Sequence, residues 1–133
     1  YQMGCYEISL GDTIGTGNPT LTRQLVETVT EQIPVTNLAA HFHDTYGQAL
    51  ANILAVLELG ITRIDSAVSG LGGCPYAKGA SGNVATEDVV HMLDGMGIET
   101  GVNLSGLVKA GDMISNHLGQ KPKSKAATAI MAK

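Results

Sequence analysis

Apolar residues along this chain switch between two spacings, and the switches mark out elements. Tyr6-Glu7-Ile8-Ser9-Leu10 alternates as a strand does and runs into the Gly- and Thr-rich stretch Gly11 to Gly17. Asn18-Pro19 then reads as a helix cap followed by proline at the first helical position. Leu21, Leu25, Val29 and Ile33, with Val26 beside them, recur at helical spacing until Pro34 ends the run. The unit repeats, with Leu38 to His43 as strand, Asp44 to Gly47 as loop and Gln48 to Leu59 as helix. Leu50, Ile53, Leu54 and Leu57 share one face of that helix, and Gly60 is its stop. A third strand, Ile61 to Val68, leads into a long glycine-rich loop, Ser69 to Asn83. Thr86-Glu87-Asp88 opens another helix, whose apolar face is Val89, Val90, Leu93 and Met96. Past Gly97 the pattern gives a weaker helix, Ser105 to Leu118, interrupted by Gly106 and Gly111. Lys121-Pro122-Lys123-Ser124-Lys125 reads as a solvated linker to a short final helix.

Strands alternating with helices predict an α/β fold with a parallel sheet and right-handed crossovers. Three strands do not close a barrel, and each open parallel edge leaves backbone groups unpaired. The three units are therefore expected to join further strands that precede Tyr1. The length of 133 residues fits one small domain or a piece of a larger one. Residues 1–118 read as the barrel-type portion, and residues 119–133 as a basic linker with a short terminal helix.

Composition narrows the partners. Hydrophobic residues make up 44% of the chain, enough for a core, yet no apolar run approaches the roughly 18 residues of a membrane helix. The net charge is -4, and Lys121, Lys123, Lys125 and Lys133 all sit in the tail, so the body is more acidic than the total suggests. That balance argues against nucleic acid or an anionic membrane as partner, since both need clustered positive charge. Cys5 and Cys74 lack the density of a disulfide-stapled secreted scaffold and point to a reducing compartment. Tyr1 to Leu10 shows no signal-peptide pattern.

The unusual polar residues fall at or just after strand C-termini, the edge where parallel sheets build their sites. His41 and His43 are two apart in a strand, so both imidazoles project to one face while Phe42 points the other way. They read either as two histidines satisfied by hydrogen bonds or as a pair of metal ligands. Asp44 reads as a turn residue or as a group orienting a ligand. Cys74, in Gly70-Leu71-Gly72-Gly73-Cys74-Pro75-Tyr76-Ala77, lies in a loop with few apolar neighbours, which favours a reactive or proton-donating thiol over a buried one. Cys5 has no such context and reads as structural. Asn83 reads from its neighbours as a turn or cap. Asp12 is a turn former or a base or orienter at a strand end. Gly70 to Gly73 lacks the spacing of a dinucleotide fingerprint.

Three blocks carry a resemblance: YEISLGDTIG (Tyr6 to Gly15), HFHDTYGQALAN (His41 to Asn52) and DSAVSGLGGCPYAKGASGN (Asp65 to Asn83), continuing as VATEDVVHMLDGMGI. Over nearly all of residues 4–118 the chain resembles the carboxy-terminal half of the 3-hydroxy-3-methylglutaryl-CoA lyase family. The His-x-His-Asp-Thr block is shared with related barrel lyases and Claisen-type synthases, whereas GLGGCPYA followed by GASGN is more specific. The resemblance implies a TIM (β/α)8 barrel, of which these strands are the sixth, seventh and eighth, so the N-terminal half of the barrel would be the missing partner. It implies that His41, His43 and Asn83 are ligands of Mg²⁺ or Mn²⁺, which replaces the turn reading of Asn83. It makes Cys74 the active-site cysteine and Asp12 an acidic residue near substrate. The family's Arg-Asp pair on its first strand and glutamate on its second are not among these residues.

The implied reaction is metal-dependent cleavage of an acyl-CoA substrate, 3-hydroxy-3-methylglutaryl-CoA, to acetoacetate and acetyl-CoA. The alternatives are a related Claisen-type synthase or aldolase on the same barrel, or a catalytically incomplete fragment. A homodimer is a further partner to look for. The expected location is the cytoplasm in a bacterium or the mitochondrial matrix in a eukaryote.

Overall fold

In a computed structural model of the chain, the structure describes residues 1–73 and 82–132. They fall into two compact units, one of residues 1–65 with 73 and 82 and one of residues 66–72 with 83–132.

The first unit holds β1 (Ile8–Asp12), α1 (Pro19–Thr30), β2 (Leu38–Phe42), α2 (Ala49–Leu57) and β3 (Arg63–Asp65). The strands form a parallel sheet in the order β1-β2-β3, with Ser9 opposite Ala39, Gly11 opposite His41, Asp12 opposite Phe42 and His41 opposite Asp65. Alternation divides the sheet into two faces. One carries Ile8, Leu10, Leu38, Ala40, Phe42 and Ile64, and Leu38, Ala40 and Phe42 are buried where α2 packs on β2. The other carries Ser9, Gly11, Ala39, His41, Arg63 and Asp65, most of them exposed. Ile53 and Val56 of α2 and Ile61 after it complete the core of this unit.

Local chemistry explains the ends. Asn18 caps α1 by accepting from the N–H groups of Thr20 and Leu21, with Pro19 leading the helix as its spacing predicts. After α2 the N–H of Ile61 bonds the Val56 carbonyl and that of Gly60 bonds Leu57, a Schellman closure that needs the positive φ of Gly60. The same two-bond closure recurs at Gly97, with Ile98 bonding Leu93, and at Gly119, with Gln120 bonding Ser115. β1 begins two residues later than the sequence suggests because the Tyr6 carbonyl is taken by the Asn37 side chain instead of a ladder. β3 is shorter than the predicted 61–68: its ladder stops at His41 opposite Asp65, and beyond it Ala67 makes one bridge to Ala85.

The second unit contains α3 (Thr86–Gly95), α4 (Leu104–His117) and α5 (Lys125–Met131). α4, the weak helix of the sequence, is a full 14 residues. Its Gly111 is buried, and a Cβ there would lie 2.4 Å from Glu87 Oε1, so the glycine lets α4 approach that carboxylate. The linker before α5 is not fully solvated, since Ser124 is buried, caps α5 through the N–H of Ala127 and donates to Asp88. Among the described residues, no helix is long and apolar enough to cross a membrane.

Candidate functional site

His41 and His43 leave the sheet on the same face, as their spacing requires, with ring centroids 5.3 Å apart and the rings edge to face. His43 is buried and its Nδ1 lies 2.5 Å from the carbonyl of Thr13 in the loop after β1. A carbonyl cannot donate, so the proton sits on Nδ1, and in the neutral imidazole the lone pair is then on Nε2. His41 is half-exposed, and its Nδ1 faces Asp65 Oδ2 at 3.4 Å. Asp65 Oδ2 also accepts from Ser9 Oγ at 2.9 Å.

Ser9 and Asp65 are residues that sequence reading passed over. The signal was present in part: both belong to the strand runs, and the two-residue period puts each on the histidine face once register is known. Register is what the sequence does not print.

Asp12 lies apart from the imidazoles. It pairs in register with Phe42, so its side chain leaves on the helix side of the sheet, beside Leu21, Thr22 and Leu25 of α1. There Oδ1 accepts from the N–H of Gly15 at 3.1 Å and Oδ2 from that of Gly17 at 3.0 Å. A Cβ on Gly17 would stand 2.9 Å from Oδ2, which is why the glycine is needed at this close approach. The carboxylate thus holds the loop whose Thr13 carbonyl fixes His43. Asp44 is a turn residue: its Oδ1 accepts from Ala49 N–H at the start of α2, and its carbonyl accepts from Gly47.

Asn83 belongs to the second unit. Its Nδ2 donates to the Leu71 carbonyl at 3.0 Å, which turns the amide oxygen away, and among the described residues that oxygen has no hydrogen-bond donor. A Cβ on Gly72, at φ +103°, would meet Nδ2 at 2.9 Å. The stretch leading into this loop is fixed at Ser69, at a positive φ of 57°, by both oxygens of the buried Glu87 accepting its N–H. Cys74 lies outside the described residues. Cys5 is exposed in this chain.

The donor chemistry suits a divalent cation in part. Two imidazoles present free or freeable Nε2 atoms, and a carboxamide oxygen is a hard ligand of the kind Mg²⁺ and Mn²⁺ take. Among the described residues no group of three or more His, Cys, Asp or Glu side chains is arranged to hold a metal, so any complete shell needs ligands of other types or from elsewhere.

The HMGL-like family matches residues 1–114. Mitochondrial hydroxymethylglutaryl-CoA lyase of Arabidopsis thaliana is 62% identical over 130 residues, covering 98% of this chain and 28% of that protein. The crystal structure of hydroxymethylglutaryl-CoA lyase from Pseudomonas aeruginosa superposes with a TM-score of 0.95 at 60% identity, covering 98% of this chain and 44% of that one. An HMG-CoA lyase from Acinetobacter baumannii, solved in complex with coenzyme A and 3-methylmalate, gives 0.90 at 41% identity, covering 96% and 42%. The chain therefore spans less than half the length of each of these relatives, as three βα units and terminal helices of a TIM barrel do.

Proposed function

Because this chain belongs to the HMGL-like family, we propose that the protein carrying it is a carbon-carbon lyase cleaving 3-hydroxy-3-methylglutaryl-CoA to acetoacetate and acetyl-CoA. The observation that carries the reading is the imidazole pair on one sheet face, with His43 locked in the tautomer that frees Nε2. His41 and His43 serve as nitrogen ligands and Asn83 as an oxygen ligand of Mg²⁺ or Mn²⁺. When bound, that cation supplies Lewis acidity at the substrate's tertiary hydroxyl and orients it.

The chain's own residues do the rest. Asp12 holds the Gly15 and Gly17 N–H groups and through that loop keeps the Thr13 carbonyl on His43. As the carbon-carbon bond breaks, the hydroxyl proton passes to a base and the bonding electrons move into the thioester enolate; Asp12, on the helix face of the sheet, supports the site through its loop and is not that base. Cys74 returns a proton to the enolate carbon, giving acetyl-CoA. Acid catalysis of this kind is worth ~10² to 10⁴ in rate.

The test is to offer the complete protein both 3-hydroxy-3-methylglutaryl-CoA and the pair acetyl-CoA plus a 2-oxo acid, with Mg²⁺ or Mn²⁺ present. Acetoacetate release from the first supports the lyase. Condensation of the second without cleavage of the first overturns it in favour of a Claisen-type synthase, and no turnover of either marks an incomplete site. Cys74→Ala is expected to lower turnover by about 10² to 10⁴ while leaving metal content unchanged. Near-parental activity in that variant removes the thiol from the reaction.

A further inference from the structure

We propose that Asp65, braced by Ser9, is a positioning residue that sets the tautomer and orientation of His41, so that Nε2 is the nitrogen offered to a divalent cation. The inference rests on the ligand reading of His41 given above and deepens it.

The sheet register isolates the pair. His41 on β2 has Gly11 as its partner on β1 and Asp65 as its partner on β3. Gly11 has no side chain, so the cross-strand neighbour that can meet the imidazole in register is a carboxylate. Asp65 is held in turn by Ser9 from the far strand. The bond from Ser9 Oγ to Asp65 Oδ2, at 2.9 Å, crosses the central strand, and the residue beneath it, opposite Ser9, is Ala39, whose methyl leaves the path clear. The same oxygen faces His41 Nδ1 at 3.4 Å.

Charge and hydrogen-bond chemistry give the arrangement a direction. An ionised carboxylate only accepts, so its presence at Nδ1 favours the proton there and leaves the lone pair on Nε2. His43 reaches the same state by a different route, through the Thr13 carbonyl. Two adjacent imidazoles thus have an acceptor facing Nδ1, by a close contact with the Thr13 carbonyl at His43 and by a longer approach of 3.4 Å at His41, the orienting pattern of metal-bound histidines.

Asparagine separates this role from a merely structural one. Asp65→Asn keeps the shape and can keep the Ser9 bond, but its NH₂ can donate to Nδ1 and so favour the tautomer with the proton on Nε2, where the cation would bind. Asp65→Ala removes the orienting group without favouring the wrong tautomer. In the complete protein, titrated with Mn²⁺ and followed by electron paramagnetic resonance of the free ion, Asp65→Asn is expected to weaken binding by about 10 to 100-fold. Asp65→Ala should fall no further than Asp65→Asn, and Ser9→Ala should give a smaller loss. In cation-free protein, ¹⁵N imidazole spectra should show His41 with its proton on Nδ1 in the parent and shifted toward Nε2 in Asp65→Asn.

Parental Mn²⁺ affinity and an unchanged His41 tautomer in Asp65→Asn overturn the proposal, as does an asparagine variant that binds clearly better than the alanine one. If Asp65→Asn does not fold by far-ultraviolet circular dichroism, Ser9→Ala decides, and unchanged affinity there overturns it. His41→Ala distinguishes the two levels. Unchanged affinity in that variant sinks the ligand reading itself, whereas weak binding in His41→Ala with parental binding in Asp65→Asn sinks only the role of Asp65.

Discussion

His41 and His43 stand on a strand whose alternation fixes where they point, whereas Asn83 stands in a loop whose side chain is aimed by the carbonyl of Leu71, twelve positions earlier. The histidine region is built by period and burial: Phe42, between the two imidazoles, is 2% exposed and anchors the strand from its other face. The asparagine region is built by single polar bonds and by glycines that make room for them. One arrangement is redundant, with many apolar contacts sharing the task. The other depends on a few groups, each of which has no substitute.

The largest effect that would sharpen this contrast lies at Phe42. Phe42→Ala should destabilise the complete protein by about 3–5 kcal/mol, the range for truncating a buried aromatic side chain, as measured by urea unfolding. His41→Ala, on the same strand but with its side chain on the other face, removes no part of the apolar core and should cost clearly less than Phe42→Ala. Equal losses at the two positions would break the division of β2 into a folding face and a chemical face.

That division was legible in the residues because it follows from the two-residue period alone. The same is true of the Asn18-Pro19 helix start and the Gly60 stop, where the signals are local. What was hidden depends on partners far along the chain. The exposed-side role of Ser9 required knowing that Asp65 sits two strands away, a separation of 56 residues. Asp12 looked like a residue for the site because it ends a strand, but its register with Phe42 sends the carboxylate to the opposite face, onto the N–H groups of Gly15 and Gly17. Gly111 weakened the case for α4 by propensity. Packing against Glu87 overrides that propensity, and no local pattern announces it.

A middle-sized effect is expected where one polar group carries a loop. Glu87 is fully buried, and both its oxygens accept the N–H of Ser69, at 2.9 and 2.8 Å. Glu87→Ala strands that donor, at a cost of about 1–3 kcal/mol. Glu87→Gln keeps one acceptor oxygen and should recover part of the loss. Amide exchange at Ser69 should speed up in the alanine variant while exchange in β2 stays as it was. Parental stability in Glu87→Ala would mean that the loop is held redundantly, as the strand is, and the contrast between the regions would fail.

A smaller effect than that of Glu87 comes from Ser124, which tests the same dependence on single bonds at the far end of the second unit. Its hydroxyl accepts from Ala127 N–H at 2.9 Å and donates to Asp88 Oδ1 at 2.7 Å, and the Asp88 carboxylate also takes the N–H of Ala126 at 2.8 Å. Ser124→Ala removes the cap of α5, and such a change costs typically ~1 kcal/mol. The loss should be local because α5 is only seven residues long and cannot stand without packing. Faster hydrogen exchange is therefore expected over Lys125–Met131, with Asp88 still holding Ala126 and with no change at His41 or His43. Ser124→Thr, which keeps a hydroxyl in the same place, should restore most of the protection if its added methyl is accommodated at this buried position. Exchange that quickens equally across β2 would show the tail to be part of the cooperative core that Phe42 anchors. In that case the terminal helix would be held as the strand is, and the two modes of construction would not be separable by region.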